Sequence, residues 1–194
     1  MLEHKKNVLF DMDGLLIDSE ALGIKMWEKV FANHNELFNP EAVYRSIGSN
    51  GLASQEIVEK ITGNRHYLTR FKEDKIAETR KYLETNPMPV KKGAHELLTY
   101  LKDNGYTLVL TSSTFEPDVL FSLKSAGLDK YFDKFVCGDH VTRAKPNPEI
   151  FNKAIELYNL KKEETFILED SRNGIIAADA AGCLLYTSPS PRDS

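Results

Sequence analysis

Val8-Leu9-Phe10-Asp11-Met12-Asp13-Gly14-Leu15-Leu16-Ile17-Asp18-Ser19 is the stretch from which the rest of the chain is read. Val8, Leu9 and Phe10 form a short apolar run that predicts a buried strand, and the run stops at a carboxylate. Asp11 and Asp13 flank Met12, so in extended backbone their side chains leave on the same face. Gly14 lets the chain turn out of the strand in a conformation other residues resist. Two like charges projecting together from a buried strand repel, and their burial is costly without a cation between them. A hard divalent ion with oxygen ligands, Mg2+ above all, is the natural counter-charge. The plainer alternative is a polar turn in which one aspartate caps the following helix.

Outward from this stretch the pattern is first helical, then alternating. Leu22, Met26, Trp27 and Val30 recur at helical spacing over about 17–32, with Asp18 or Ser19 as N-cap. Pro40 opens a short helix that ends at Gly48-Ser49-Asn50-Gly51, and Leu52 to Ile61 is helical again. A long charged helix is expected from Tyr67 to Leu83, until Asn86-Pro87-Met88-Pro89 breaks it. Beyond Pro89, helices at 93–104, 117–126, 147–159 and 172–181 alternate with strands at 106–111, 134–137 and 165–169. Alternation of this kind predicts an α/β domain with a parallel sheet wrapped in helices. Strand 8–10 belongs to that sheet, because a lone strand of that length cannot bury itself. Residues 1–15 and 87–182 therefore make the α/β core, and 16–86 is an all-helical insert. Entered just after the paired aspartates, the insert is expected above the carboxyl ends of the strands, as a lid.

Three later stretches carry chemistry. Phe166-Ile167-Leu168-Glu169-Asp170-Ser171 repeats the opening logic, so two parallel strands set four acids on one rim. The alternative is that Asp170 or Ser171 simply caps the next helix; capping and metal ligation can also fall to different residues of the set. Thr111-Ser112-Ser113-Thr114 puts four hydroxyls between a buried strand and a helix start near Pro117, where free N–H groups suit a phosphate. An ordinary N-cap is the alternative there. Arg143-Ala144-Lys145-Pro146-Asn147-Pro148 holds Lys145 on a stiff loop from which a cation can reach the acid rim; the alternative is a solvated surface lysine.

Composition narrows the field. A chain of 194 residues with 41% hydrophobic and 28% charged residues can bury a full core, and disorder is not expected. A net charge of −4 without a basic run argues against nucleic acid as partner. Met1 to Asn7 is short and charged with no apolar segment behind it, so neither signal peptide nor membrane span is expected. The two cysteines, Cys137 and Cys183, lack metal-ligand spacing, and the expected setting is a reduced cytoplasm.

Asp11-Met12-Asp13-Gly14, Ser112 in Thr-Ser-Ser, Lys145 in Lys-Pro-Asn-Pro-Glu-Ile-Phe, and Glu169-Asp170-Ser171 with Gly174 together resemble the haloacid dehalogenase superfamily. The match is to the branch with a small helical cap that includes β-phosphoglucomutase-like phosphatases. The resemblance implies a Rossmann-like core and Mg2+-dependent phosphoryl transfer through an aspartyl-phosphate. It implies Asp11 as nucleophile and Asp13 as the acid and base that serves leaving group and water. The metal set it implies is Asp11, Asp13 through its backbone carbonyl, and Asp170, with Glu169 close by. Ser112, Ser113 and Lys145 would hold the phosphoryl oxygens, with Gly14, Asn173 and, from the cap, Arg45 and the 48–51 loop as further binding candidates. At the hinge helix, where β-phosphoglucomutases carry a histidine, this chain has Gly23, which favours a phosphatase over a mutase. The expected enzyme is a phosphatase of small phosphorylated metabolites, sugar or nucleoside phosphates. A sugar-phosphate mutase and a non-catalytic binding protein on the same fold are the alternatives, and a monomer is the expected state. His140 stands where the family commonly has an acid, without a reason legible in the sequence.

Cys183 to Asp193 reads as one frame of a translated sequencing adapter, so 183–194 is expected to be non-native. Leu184 to Tyr186 could still pair as a stub of edge strand. The alternative is a Pro/Ser-rich disordered terminus.

Overall fold

The computed structural model describes residues 6–46 and 51–187. The chain forms two units: residues up to Asp18 with those from Met88 onward, and Ser19–Pro87. Leu16 and Ile17, grouped on sequence with the insert, belong to the first unit, where both are buried. Ile17 bridges to Asp13 and Val90, Asp18 N–H donates to the Pro89 carbonyl at 2.8 Å, and Lys91 N–H to the Leu16 carbonyl at 2.9 Å. These bonds end the strand-like backbone two residues later than helical periodicity alone indicates.

The first unit is built on five parallel strands, β1 (Asn7–Phe10), β2 (Thr107–Thr111), β3 (Phe135–Val136), β4 (Thr165–Glu169) and β5 (Leu184–Thr187). Their spatial order is β3-β2-β1-β4-β5. The order reverses at β1, and in open α/β sheets ligands bind at such a switch point, beyond the carboxyl ends of the strands. Phe10 is level with Leu110 on one side and Leu168 on the other. Asp11, the Thr111-Ser112 step and Glu169-Asp170 therefore leave the sheet at one height.

Period-2 alternation sends Leu9, Val109, Val136 and Ile167 to one face. There they pack with Phe151 and Ala154 of α7 (Glu149–Leu157) and with Ala177, Ala178 and Ala181 of α8 (Arg172–Ala181), whose small side chains bring that helix close to the sheet. Phe10 points to the other face, edge-on to Phe132 at 5.8 Å between ring centres. The remaining helices of the unit, α5 (Ala94–Asp103) and α6 (Glu116–Ala126), bury Leu98, Leu101, Val119 and Leu123. At the β3 edge the Tyr158 hydroxyl accepts from Phe135 N–H at 3.1 Å and donates to the Phe135 carbonyl at 3.0 Å, which shuts that backbone to further pairing. At the opposite edge β5 lies beside β4 with Tyr186 edge-on to Phe166 at 5.6 Å, the pairing expected of a strand stub there. Residues 188–194 lie outside the described residues.

The second unit is helical: α1 (Ser19–Asn33), α2 (Pro40–Ser46), α3 (Gly51–Thr62) and α4 (Lys72–Leu83), with no strand among its described residues. The single helix expected over Tyr67–Leu83 is interrupted, because Thr69–Phe71 is a separate 3-10 turn before α4. Tertiary packing overrides propensity there. Tyr67 and Phe71 turn in on Phe31 at 4.6 and 5.3 Å, and the Tyr67 hydroxyl accepts from Asn39 N–H and donates to the Leu37 carbonyl. Among the described residues no helix is long and apolar enough to cross a membrane.

Candidate active site

The residue that β1 delivers at the switch point is Asp11, whose N–H still bonds the Leu168 carbonyl at 3.0 Å. Its backbone is therefore held by the sheet. Lys145, on the loop before α7, donates to Asp11 Oδ1 at 2.6 Å, Glu169 Oε2 at 2.7 Å and the Thr111 carbonyl at 3.2 Å. All three ammonium protons are thus used, and the side chain is 6% exposed. Burial works against the charge of Lys145, but the Asp11 and Glu169 carboxylates outweigh it and hold the ammonium above its ordinary range. At Asp11, burial is the largest influence and raises the carboxyl; Lys145 opposes that, while Glu169 and Asp13 add to it.

Glu169 is fully buried and fully engaged. Its Oε1 accepts from Asp170 N–H at 3.1 Å, Ser171 N–H at 3.0 Å and the Ser171 hydroxyl at 2.9 Å, while Oε2 takes Lys145. Ser171 also caps α8 by accepting from Gly174 N–H at 3.0 Å, so capping and acid placement do fall to different residues of one stretch. Asp11, Glu169 and Asp170 each bring a carboxylate oxygen within 4.8 Å of the others, and all three are buried. Three buried carboxylates carry more charge than one ammonium neutralises, and an all-oxygen donor set is what a hard divalent cation selects. The residues fit Mg2+.

Asp13 faces elsewhere. Its Oδ2 accepts from the Thr114 hydroxyl at 2.9 Å and lies 3.5 Å from Ser112 Oγ, itself the acceptor for Thr114 N–H at 3.1 Å. The hydroxyl run after β2 thus orients the Asp13 carboxylate, and Ser112 is anchored by donating its N–H to the Val136 carbonyl. Any part Asp13 takes in holding a metal falls to its backbone carbonyl. Gly14 sits in the turn after β1 with φ of +84°, and Gly14 N–H donates to the Ile17 carbonyl. Asn173 is half-buried in the first turn of α8. Arg45 belongs to the helical unit, where Nε pairs with Glu41 at 2.7 Å along α2. Residues 48–50 of the 48–51 loop lie outside the described residues.

Sequence reading missed two contributors and quoted a third, Gly174, without its role. Thr114, quoted only as one of four hydroxyls, is the firm partner of Asp13; the Thr111 carbonyl is a partner of Lys145. Gly174 leaves the room that the Glu169 carboxylate occupies. Only Gly174, next to the acid pair at a helix start, carried a local signal.

Residues 8–186 match the haloacid dehalogenase-like hydrolases, and the chain belongs to that family. Within it this chain is a phosphoric monoester hydrolase. Phosphorylated carbohydrates phosphatase of Thermotoga maritima is 31% identical, over 90% of this chain and 81% of that protein. Hexitol phosphatase A of Escherichia coli is 28% identical, over 97% of this chain and 85% of that protein. A Thermotoga maritima structure provisionally described as a beta-phosphoglucomutase superposes with a TM-score of 0.77 at 30% identity, covering 94% of this chain and 84% of that one.

Proposed function

We propose that the chain is a Mg2+-dependent phosphatase of small phosphorylated metabolites that works through an aspartyl-phosphate on Asp11. The observation that carries this reading is the meeting of Asp11, Lys145, Glu169 and Asp170, drawn from three separate segments, beside an Asp13 held on the Ser112–Thr114 loop. Asp11, the Asp13 carbonyl and Asp170 would hold Mg2+, which when bound supplies positive charge against the phosphoryl oxygens.

The chain's own residues do the rest. Lys145 grips Asp11 Oδ1 and leaves Oδ2 to attack phosphorus, so the nucleophile is oriented as well as charge-compensated. Ser112 and Ser113 meet the equatorial oxygens, and Lys145, whose protons are committed to Asp11, Glu169 and the Thr111 carbonyl, opposes by its charge what accumulates there as the leaving oxygen departs. Asp13 gives that oxygen a proton, then takes one from the water that cleaves the acyl-phosphate. Thr114 keeps its carboxylate turned toward this task. Glu169 acts through Lys145. The substrate class is supported by the names of the two phosphatase relatives, both of which refer to phosphorylated carbohydrates or hexitols. Arg45 is proposed as a leaving-group contact, and Arg45→Ala should raise KM with little change in kcat.

Phosphate release from a panel of sugar and nucleoside phosphates in MgCl2 tests the reading. Turnover should vanish in Asp11→Asn and in EDTA, and return in the wild type on adding MgCl2. Full activity in Asp11→Asn refutes the covalent route. A mutase is the second reading, which the provisional description of the Thermotoga structure favours. Interconversion of sugar-phosphate isomers without net phosphate release would establish it. Gly23, in α1, has no side chain with which to assist proton transfer, and Lys75 Nζ lies 3.9 Å from where its Cβ would be.

A further inference from the structure

The turn after β3 grips the loop after β2. Gly138 N–H donates to the Thr114 carbonyl at 2.9 Å, and Asp139 Oδ1 accepts from Glu116 N–H at 3.0 Å, at the start of α6. His140 makes the third link. Its Nδ1 accepts from Cys137 N–H at 3.1 Å, and its Nε2 lies 2.8 Å from Glu116 Oε2. A ring nitrogen that accepts from an amide carries no proton, so the neutral imidazole has its proton on Nε2 and donates it to Glu116. From α7 the Lys153 ammonium donates to the His140 carbonyl and secures the turn. Packing leaves no slack: a Cβ on Gly138 would lie 2.2 Å from the Ser113 carbonyl oxygen.

Glu116, Asp139 and His140 also bring donor atoms within 4.8 Å of one another. Metal-ligating histidines donate their second ring N–H to a partner, whereas here the second nitrogen is an acceptor. The cluster is built for a hydrogen bond.

We propose that His140 and Glu116 are positioning residues, and that the bond from His140 Nε2 to Glu116 sets the Ser112-Ser113-Thr114 loop at the spacing phosphoryl transfer requires. The chain of contact is short. Glu116 opens α6, Phe115 and Thr114 precede it, and Thr114 orients Asp13. The proposal rests on the phosphatase reading of that loop.

The test uses the full chain, p-nitrophenyl phosphate and MgCl2. His140→Asn keeps an acceptor near Nδ1 for Cys137 but offers Glu116 no donor. His140→Gln keeps a donor for Glu116 and gives up the Cys137 acceptor. Glu116→Ala and Glu116→Gln divide the other partner in the same way. His140→Asn and Glu116→Ala should lose about tenfold or more in kcat with KM within about twofold, since misplacement costs orientation rather than affinity. His140→Gln and Glu116→Gln should retain most of kcat, and the melting temperatures of all four should stay together. Wild-type turnover in His140→Asn overturns the proposal, as does a kcat that simply follows melting temperature. Asp11→Asn, run alongside, separates the two readings, because turnover surviving in it overturns the phosphatase mechanism instead. In that event the amide NMR signals of Ser112–Glu116 decide the clamp: shifts in His140→Asn but not in His140→Gln uphold it, and unchanged signals in both overturn it.

Discussion

Gly174 lies buried in the first turn of α8, where a Cβ would come within 1.9 Å of Glu169 Cδ and 2.0 Å of Oε2. The carboxylate cannot yield cheaply, because its two oxygens are committed to Lys145 and to the Asp170-Ser171 amides. Gly174→Ala should therefore destabilise by about 1–3 kcal/mol, the usual cost of overpacking, and should also lower kcat by moving Lys145. Urea unfolding and p-nitrophenyl phosphate turnover on one preparation check both parts. Lys145→Met removes the ammonium from Asp11 and Glu169. With EDTA present it should cost about 3–5 kcal/mol, as expected when one partner of a buried ion pair is lost. MgCl2 should recover part of that loss as a rise in melting temperature. The acids and Lys145 were legible in the sequence as strand ends and a proline-stiffened loop. The commitment of Glu169 to Lys145 was not, because it depends on which of several nearby carboxylates the ammonium reaches.

The loop that carries Lys145 is itself tethered by the first residue of α7. Glu149 accepts from Thr142 N–H at 2.8 Å, the Thr142 hydroxyl at 3.0 Å and Arg143 N–H at 3.0 Å. The Thr142 backbone bond, first among these, holds the Glu149 carboxyl below its ordinary 4.5. A carboxyl lowered in the folded state binds its proton more readily when unfolded. Its contribution to stability is present above 4.5 and is lost as pH falls through the folded value. Glu149→Gln should flatten that acid limb, read as urea midpoints over a pH series, and loosen the loop. Secondary structure was largely readable at this scale, because helix and strand periods are local. Those periods fail at the start of α1, where Ile17 and Asp18 stay bonded to Val90 and Pro89, and at the start of α4, where rings brought together from α1 and the 67–71 segment impose a turn that periodicity does not encode.

The two units meet the chain at Asp18/Ser19 and Pro87/Met88, so each catalytic residue proposed here, Arg45 aside, belongs to the α/β unit. Among the described residues of that unit, β5 is the strand that pairs with the outer edge of β4, the strand that ends in Glu169. Ending the chain after Gly182 should lower the unfolding free energy by about 2 kcal/mol, the scale of losing the half-buried Leu184 and Leu185, and a urea titration of the shortened chain reads it. The α/β class, the helical insert and the four segments that carry chemistry are all legible in the amino-acid order, since each is written in neighbouring residues. That Asp13 turns to Thr114, that Glu169 takes Lys145 and that His140 meets Glu116 emerges only once the chain is folded. Those choices hang on strand register and on contacts such as Asp11 with Lys145, 134 positions apart, which no local pattern records.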